Sequence, residues 1–98
     1  MGDYKVSEHA QRDLIDISKY LARNNPDAMV RIMKAIRDKF RFLAQFPNTG
    51  RERNDMLLYL RTFPAGKYII FYQPTDDGVE ILRVRHSLED TRDLFDNP

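Results

Sequence analysis

The sequence predicts an α+β fold, in which a short N-terminal strand and an antiparallel helical hairpin pack on one face of an antiparallel β-meander. Apolar residues recur every three or four positions through the first half of the chain, which is the spacing of one face of an amphipathic helix. An Asn-Asn-Pro break divides this helical pattern into two segments. In the second half, short apolar runs are separated by turn residues, as in strands joined by hairpins.

The predicted N-terminal half contains one strand and two helices. Residues 3–6 alternate like a strand, and Ser7 is a suitable N-cap for the helix that follows. The helices are predicted over residues 8 to about 23 and 26 to about 45, because Pro26 fits a first helical position. So short a connection indicates an antiparallel hairpin. The apolar positions of the two helices are Ala10, Leu14, Ile17 and Leu21, and then Ala28, Ile32, Ala35, Ile36, Phe40 and Leu43.

Three strands are predicted in the second half, over residues 58–63, 67–73 and 79–86. The middle run, residues 68–72, is apolar on both faces, so it is expected to be a central strand with both faces covered. The helices cover one face of the predicted sheet. The other face needs a partner, because the final segment, a short acidic helix or turn over residues 88–95, covers little of it. Leu88, Leu94 and Phe95 are the predicted anchors of that segment. The predicted core comprises Leu14, Ile17, Leu21, Ile32, Ile36, Phe40, Leu43, Ile70 and Leu82.

Length and composition indicate one small folded domain spanning residues 1–98. The chain has 98 residues, of which 42% are hydrophobic and 11% aromatic, enough for one core and too few for two. The 16 Lys and Arg residues against 15 Asp and Glu leave a net charge of +1. A strongly basic nucleic-acid binder is therefore excluded, and direct nucleic-acid binding by the chain alone is not expected.

The residue types also limit the chemistry. With 0 Cys the chain can form no disulfide, no thiolate zinc site and no cysteine nucleophile. Its two histidines are far apart in sequence, so neither a metal nor a cofactor is expected. We expect a cytoplasmic protein without a membrane partner, because no signal peptide or apolar span is recognisable.

The candidate functional residues form a basic group on the predicted sheet. Alternation along the last strand places two arginines on the same face as Val79 and Ile81, and His86 on the other face with Leu82 and Val84. Arginine binds carboxylates or phosphates through two points of its planar fork. The alternative is that these arginines pair with nearby acidic residues. The candidate binding residues are Arg51, Arg53, Arg61, Arg83, Arg85 and His86.

A second basic group lies on the second predicted helix, opposite its apolar stripe. Such a stripe can attract an acidic partner, but we interpret it as the solvated side of an amphipathic helix, because Asp38 lies within it. Its members are Arg31, Lys34, Arg37 and Arg41.

The order of these elements and several short motifs resemble the ParE branch of the RelE/ParE toxin superfamily. The resemblance extends from Tyr4 to Asp90, and the order and spacing of the motifs are more specific than any one of them. The motifs are Ala10-x-x-Asp13-Leu14-x-x-Ile17-x-x-Tyr20, Phe46-Pro47-x-x-Gly50-Arg51, Leu60-Arg61, Tyr68-x-Ile70-x-Tyr72 and Ile81-x-Arg83-Val84-x-His86 followed by Asp90.

The resemblance implies the toxin of a bacterial type II toxin–antitoxin pair. Such a toxin is held inactive by a ParD-like antitoxin, whose C-terminal segment lies across the helices and the exposed sheet surface. In the ParE branch the usual target is DNA gyrase, trapped on cleaved DNA so that replication stalls. The function implied is inhibition by binding, with no catalytic residues.

Two other functions stay open at this point. A RelE-like, ribosome-dependent mRNA endonuclease needs a base, an acid and fixed cations, and Arg61, Arg83 and His86 are the candidates for these roles. The sequence departs from that branch, because no tyrosine follows the last strand and the loop after the second helix lacks the lysines of the nuclease. An inert interaction module is the third reading.

Overall fold

The computed structural model describes residues 2–96 and confirms the α+β class. A five-stranded sheet has the order β1-β5-β4-β3-β2, with β1 parallel to β5 and the other pairs antiparallel. The elements are β1 (Asp3–Val6), α1 (Glu8–Asn24), α2 (Pro26–Gln45), β2 (Arg51–Glu52), β3 (Arg61–Ala65), β4 (Tyr68–Pro74) and β5 (Gly78–His86). Neither helix is long and apolar enough to cross a membrane, within the residues that the structure describes.

The helical hairpin begins and turns as the sequence predicts. Ser7 caps α1, its Oγ accepting a hydrogen bond from the Ala10 N–H at 3.1 Å. The same hydroxyl donates to the Leu82 carbonyl at 3.0 Å, which fastens the start of α1 to β5. Asn25 is the only residue between the helices, and Pro26 occupies the first turn of α2.

The parallel pairing of β1 with β5 depends on close approach of two backbones. Gly78 lies opposite Asp3, and a Cβ atom on Gly78 would come within 1.8 Å of the Asp3 carbonyl oxygen. Its φ of 156° is also one that other residues rarely adopt. Only glycine therefore fits where the N-terminal strand joins the meander.

The strand before the first hairpin lies further along the chain than predicted. It begins at Arg61 and not at Leu58, because residues 53–60 form a hydrogen-bonded loop. Pro64 falls within β3, beyond the two residues that pair with β2, at an edge position where its missing N–H costs nothing. The turn consists of Gly66 and Lys67, and Gly66 has the positive φ of 61° that short hairpin turns require.

A β-bulge in β5 changes which side chains face the helices. Tyr72 of β4 lies opposite Ile81, but its neighbour Phe71 lies opposite Arg83, so Leu82 is an extra, unpaired residue. The alternation shifts by one at this point, and Val84 joins Ile81 in the core. The prediction that Arg83 and Arg85 share a face with Val79 and Ile81 is therefore wrong, as is the prediction of Leu82 as a core residue.

The core lies between the helical hairpin and one face of the sheet. Five of the predicted core residues are buried there, namely Leu21, Ile36, Phe40, Leu43 and Ile70. Leu14, Ile17 and Ile32 are partly buried against them. Ala35, predicted to lie on the apolar stripe of α2, is exposed, and Met33 is buried instead.

Residues 88–95 form turns and no helix, so of the two forms predicted for the C-terminal segment, a short helix or a turn, the helix is wrong. The ring of Phe95 packs against Phe71, with 5.9 Å between ring centroids, on the face of the sheet away from the core. Phe71 is only 3% exposed as a result. Leu88, a predicted anchor, is 88% exposed. The tail thus shields the centre of the face that was predicted to be open and apolar.

Candidate functional site

The structure places three of the six predicted basic residues on the sheet face away from the helices. Cross-strand pairing aligns Arg51, Thr62, Phe71 and Arg83 in one row from β2 to β5, and residues paired in this way share a face. Arg85 lies on the same face, two residues after Arg83. Phe71, under the C-terminal tail, separates Arg51 from Arg83.

Arg83 forms an ion pair with Asp13 of α1. Its Nε and Nη2 atoms donate to the two carboxylate oxygens at 2.8 and 3.0 Å. The Val84 N–H donates to the same carboxylate at 3.0 Å. β1 ends at Val6, so this N–H lies on the part of the β5 edge that has no strand beside it. Asp13 therefore closes the β5 edge and neutralises Arg83.

Arg85 and His86 are joined to the tail through Glu89. The Arg85 guanidinium and the His86 N–H both donate to the Glu89 carboxylate. The hydrogen bond from Arg85 is the main reason that the pKa of Glu89 lies below its ordinary value. The His86 ring accepts a hydrogen bond from the Leu88 N–H at 3.1 Å through Nδ1 and stands edge-on to Tyr68. Both predicted site residues thus hold the start of the tail.

Arg61 and Arg53 stabilise the segment around β2. Arg61 pairs with Tyr72 on the helix side of the sheet and donates to the carbonyls of Asn48 and Gly50 at 3.1 and 2.7 Å. Arg53 forms two hydrogen bonds of 3.0 Å with the carboxylate of Asp55. These bonds raise the pKa of Arg53 above its ordinary value.

The six residues therefore do not form one basic patch. Four of these five arginines pair with a carboxylate. The fifth, Arg51, forms no ion pair within residues 2–96. Arg51 is exposed on an edge strand. The arrangement is suited to holding loops and strand edges in place, with Arg51 available to a partner.

A groove that the sequence did not predict lies on the outer surface of the helical hairpin. Its volume is about 700 Å³, and Ile15 and Val30 are 51% and 69% exposed in it. Leu14, Met29 and Met33 also line it, and Lys34, Arg37 and Arg41 form its basic flank. Lys34 and Arg41 both bond to Asp38. Arg37, between them, forms no ion pair within residues 2–96.

The sequence carries a signal for this groove. Ile15 and Val30 lie outside the predicted apolar stripes, as additional apolar residues on otherwise polar helix faces. The basic residues beside them belong to the stripe that the sequence predicts to be solvated, whereas in the structure three of them flank the groove. An exposed apolar surface with a charged rim is typical of a binding site for another protein.

Comparisons with known proteins agree with the fold. The sequence profile of the family described as "ParE toxin of type II toxin-antitoxin system, parDE" matches residues 4–91. Toxin RelE3 of Caulobacter vibrioides is 33% identical over 91 residues, covering 91% of this chain and 98% of that protein. Toxin ParE2 of Mycobacterium tuberculosis is 30% identical over 88 residues, covering 87% of this chain and 81% of that toxin.

A solved structure described as "Chromosomal ParDE TA system from P. aeruginosa" has the same fold, with a TM-score of 0.74 and 20% identity. The match covers 88% of this chain and 96% of the chain in that structure. The family match over residues 4–91 and the two toxins of at least 30% identity place the chain among the small toxins of the RelE/ParE superfamily. Within that superfamily, the chain belongs to the ParE toxin family of type II toxin–antitoxin systems.

Proposed function

We propose that this toxin is neutralised by a ParD-like antitoxin and that it inhibits DNA gyrase by binding, without catalysis. The observation that carries this proposal is the pairing of the candidate catalytic arginines with carboxylates of the same chain. Among these candidates, Arg83 is held by Asp13, and Arg61 bonds to Glu52 and to backbone carbonyls of its own loop. Arg85, beside the third candidate His86, is held by Glu89. The pairs of Arg83 with Asp13 and of Arg85 with Glu89 would have to break before either guanidinium could neutralise a phosphate.

The groove on the helical hairpin is the proposed antitoxin site. An amphipathic helix binds such a groove through apolar side chains spaced three and four residues apart. The basic flank selects acidic residues on the polar side of that helix, and Arg37 is the cation there that lacks a described carboxylate. The predicted antitoxin segment is therefore an amphipathic helix with acidic edges.

Among the six basic residues, we propose Arg51 for direct contact with a partner. It is exposed at the edge of the sheet. Arg53, Arg61, Arg83, Arg85 and His86 are proposed to position the strands and loops around that contact.

A second candidate function is RelE-like, ribosome-dependent cleavage of mRNA. Toxin RelE3, which covers nearly the whole chain at 33% identity, carries the name of that branch. Cleavage through the 2′-hydroxyl requires an acid and a base near free cations. Around His86, however, the neighbouring arginine is already paired with Glu89, and the carboxylates of this tail would repel an RNA backbone.

The experiment that tests the proposal measures both activities of the purified full-length toxin. We expect dose-dependent loss of gyrase supercoiling with accumulation of cleaved DNA, reversal by the purified antitoxin, and no new mRNA cleavage on programmed ribosomes. Cleaved mRNA with normal supercoiling would support the second candidate instead. A purified protein that shows neither gyrase inhibition nor mRNA cleavage would be an inert interaction module.

A further inference from the structure

Residues 53–60, between β2 and β3, present two large apolar side chains to solvent. Leu58 is 61% and Tyr59 71% exposed. The next residue, Leu60, is fully buried, so the loop is anchored directly beside its exposed pair. Together they form an apolar patch on the surface of the loop, and contact with another protein would bury it.

Tyr59 also has a backbone conformation that side chains disfavour. Its φ is 68°, and it is the only residue other than glycine with a positive φ in residues 2–96. A bulky residue in this region is an outlier that persists only where its surroundings impose it. Glycine would adopt this φ without strain, so the stability of the fold does not explain the tyrosine.

The strained conformation is held by hydrogen bonds on both sides. The Tyr59 N–H donates to the Asn54 side-chain oxygen at 2.8 Å, and the Gln73 side chain donates to the Leu58 carbonyl, also at 2.8 Å. The Arg53 N–H donates to the Leu60 carbonyl at 2.8 Å and closes the loop. Because the loop is fixed before any partner arrives, binding would cost little conformational entropy.

This loop is separate from the groove proposed for the antitoxin. It precedes β3 at one side of the sheet, whereas α1, one wall of the groove, packs on β5 towards the other side. An antitoxin helix in the groove would leave Leu58 and Tyr59 accessible. The exposed pair is thus available for a different partner.

The chemistry of the loop favours a protein over a nucleic acid as that partner. Tyrosine is enriched among the residues that dominate protein–protein binding energies, and an aliphatic leucine beside it cannot stack on a base. The nearby Arg53 is already paired with Asp55. Glu52 likewise pairs with Arg61, so neither of these two arginines presents an unpaired charge to a phosphate. An apolar pocket on a protein surface fits Leu58 and Tyr59 better.

We propose that Leu58 and Tyr59 form the contact by which this toxin docks onto its target protein, inserting into an apolar pocket of that protein. The inference rests on the proposed function, since it assumes a protein target. It assigns to the strained loop a role in target binding that is independent of the antitoxin.

The test compares the full-length wild type with Tyr59→Gly, which relieves the backbone strain, and Leu58→Ser, which leaves the φ of Tyr59 unchanged. Leu88→Ser is the matched control, because Leu88 is 88% exposed on the tail. For each protein we would measure growth arrest in a bacterial host at equal toxin levels, and then gyrase supercoiling, antitoxin affinity and melting temperature. We expect Tyr59→Gly to melt no lower than the wild type and to bind antitoxin equally, yet to lose at least tenfold in toxicity. Leu58→Ser should lose toxicity in the same direction, and Leu88→Ser should not.

Growth arrest by Tyr59→Gly and Leu58→Ser at wild-type levels would overturn the docking role. If the wild type arrests growth without affecting supercoiling, the gyrase proposal fails, while loss of arrest in the variants would still support docking to another protein. A wild type without toxicity would overturn both proposals. Labelled DNA that binds the wild type and not Tyr59→Gly would replace the protein partner with a nucleic acid.

Discussion

At the scale of single residues, Tyr72 determines how the loop after α2 is held. Its side chain is fully buried, and its hydroxyl accepts from the Gly50 N–H at 2.9 Å and donates to the Pro47 carbonyl at 2.7 Å. A Cβ atom on Gly50 would lie 2.5 Å from this oxygen, so the approach requires glycine. The loop leads directly into Arg51, and Tyr72 thereby fixes the start of the exposed edge strand.

Replacing Tyr72 with phenylalanine tests this role. The Tyr72→Phe variant leaves the buried Gly50 N–H without its acceptor, and we expect a loss of about 1–3 kcal/mol in the free energy of unfolding. For a domain of this size each 1 kcal/mol lowers the melting temperature by roughly 4–8 °C. Tyr59→Phe, at an exposed ring, is the control and should melt like the wild type. A Tyr72→Phe variant with unchanged stability would contradict the assignment.

The same residue predicts part of the alkaline pH dependence. Burial raises the pKa of Tyr72 above its ordinary value, so the folded chain keeps a proton that the unfolded chain releases from about pH 10 upwards. The stability linked to this group is therefore complete below that pH and is lost as the pH rises further. Urea titrations across this range should show a shallower alkaline loss for Tyr72→Phe than for the wild type.

At the scale of elements, one carboxylate joins α1 to the edge of β5. Asp13 accepts two hydrogen bonds from Arg83 and one from the Val84 N–H. The side chains of Asp13 and Arg83 are only 11% and 20% exposed, so solvent screens this pair less than a surface ion pair.

The two partners of this pair should not be equally sensitive to substitution. Asp13→Ala leaves both a mostly buried guanidinium and the Val84 N–H without an acceptor, and we expect a loss of about 3–5 kcal/mol. Arg83→Met also leaves a charge without its counter-ion, but Asp13 keeps the hydrogen bond from the Val84 N–H, so we expect a smaller loss. Equilibrium denaturation of both variants and of the double variant gives the coupling free energy, about 0.5–3 kcal/mol for contacting residues. Equal losses for the two single variants would show that the bond to Val84 contributes little.

The elements that the sequence predicts well are those with long, regular patterns. The observed helices begin at the predicted residues, because apolar spacing, Ser7 and Pro26 all indicate the same boundaries. The apolar run of β4 correctly predicts the central strand. Many residues together specify a long periodic segment, so one residue that departs from the pattern does not change the predicted element.

The parts that were mispredicted depend on one or two residues each. The bulge at Leu82 places Arg83 and Arg85 on the face opposite to the predicted one. The sequence does not reveal it, because Ile81, Leu82 and Val84 fit a strand without a bulge equally well. The positive φ of Tyr59 keeps an apolar run out of β3. β2 contains two residues, too few for any periodicity. The candidate site lies among these elements, which is why the pairing of its arginines required the structure.

At the scale of the whole molecule, the large apolar side chains that are exposed within residues 2–96 lie on helices and loops and not on the sheet. The tail places Phe95 over Phe71, whereas Ile15 and Val30 stay exposed between the helices. A chain that leaves such a groove uncovered gains stability from whatever ligand binds the folded state alone. The antitoxin should therefore act as a stabiliser of the toxin as well as its inhibitor.

This linkage provides a test of the groove. Antitoxin at 100 times its dissociation constant should stabilise the wild type by about 2.7 kcal/mol, seen as a melting temperature that rises with antitoxin concentration. Val30→Glu, at a position 69% exposed, should leave the free toxin as stable as the wild type. The new carboxylate lies among the apolar side chains that line the groove and would repel an acidic helix, so we expect affinity to fall at least tenfold, or about 1.4 kcal/mol. Leu88→Glu adds the same charge on the tail and should respond to antitoxin like the wild type. Equal stabilisation of Val30→Glu and Leu88→Glu by the antitoxin would place its binding site outside the groove.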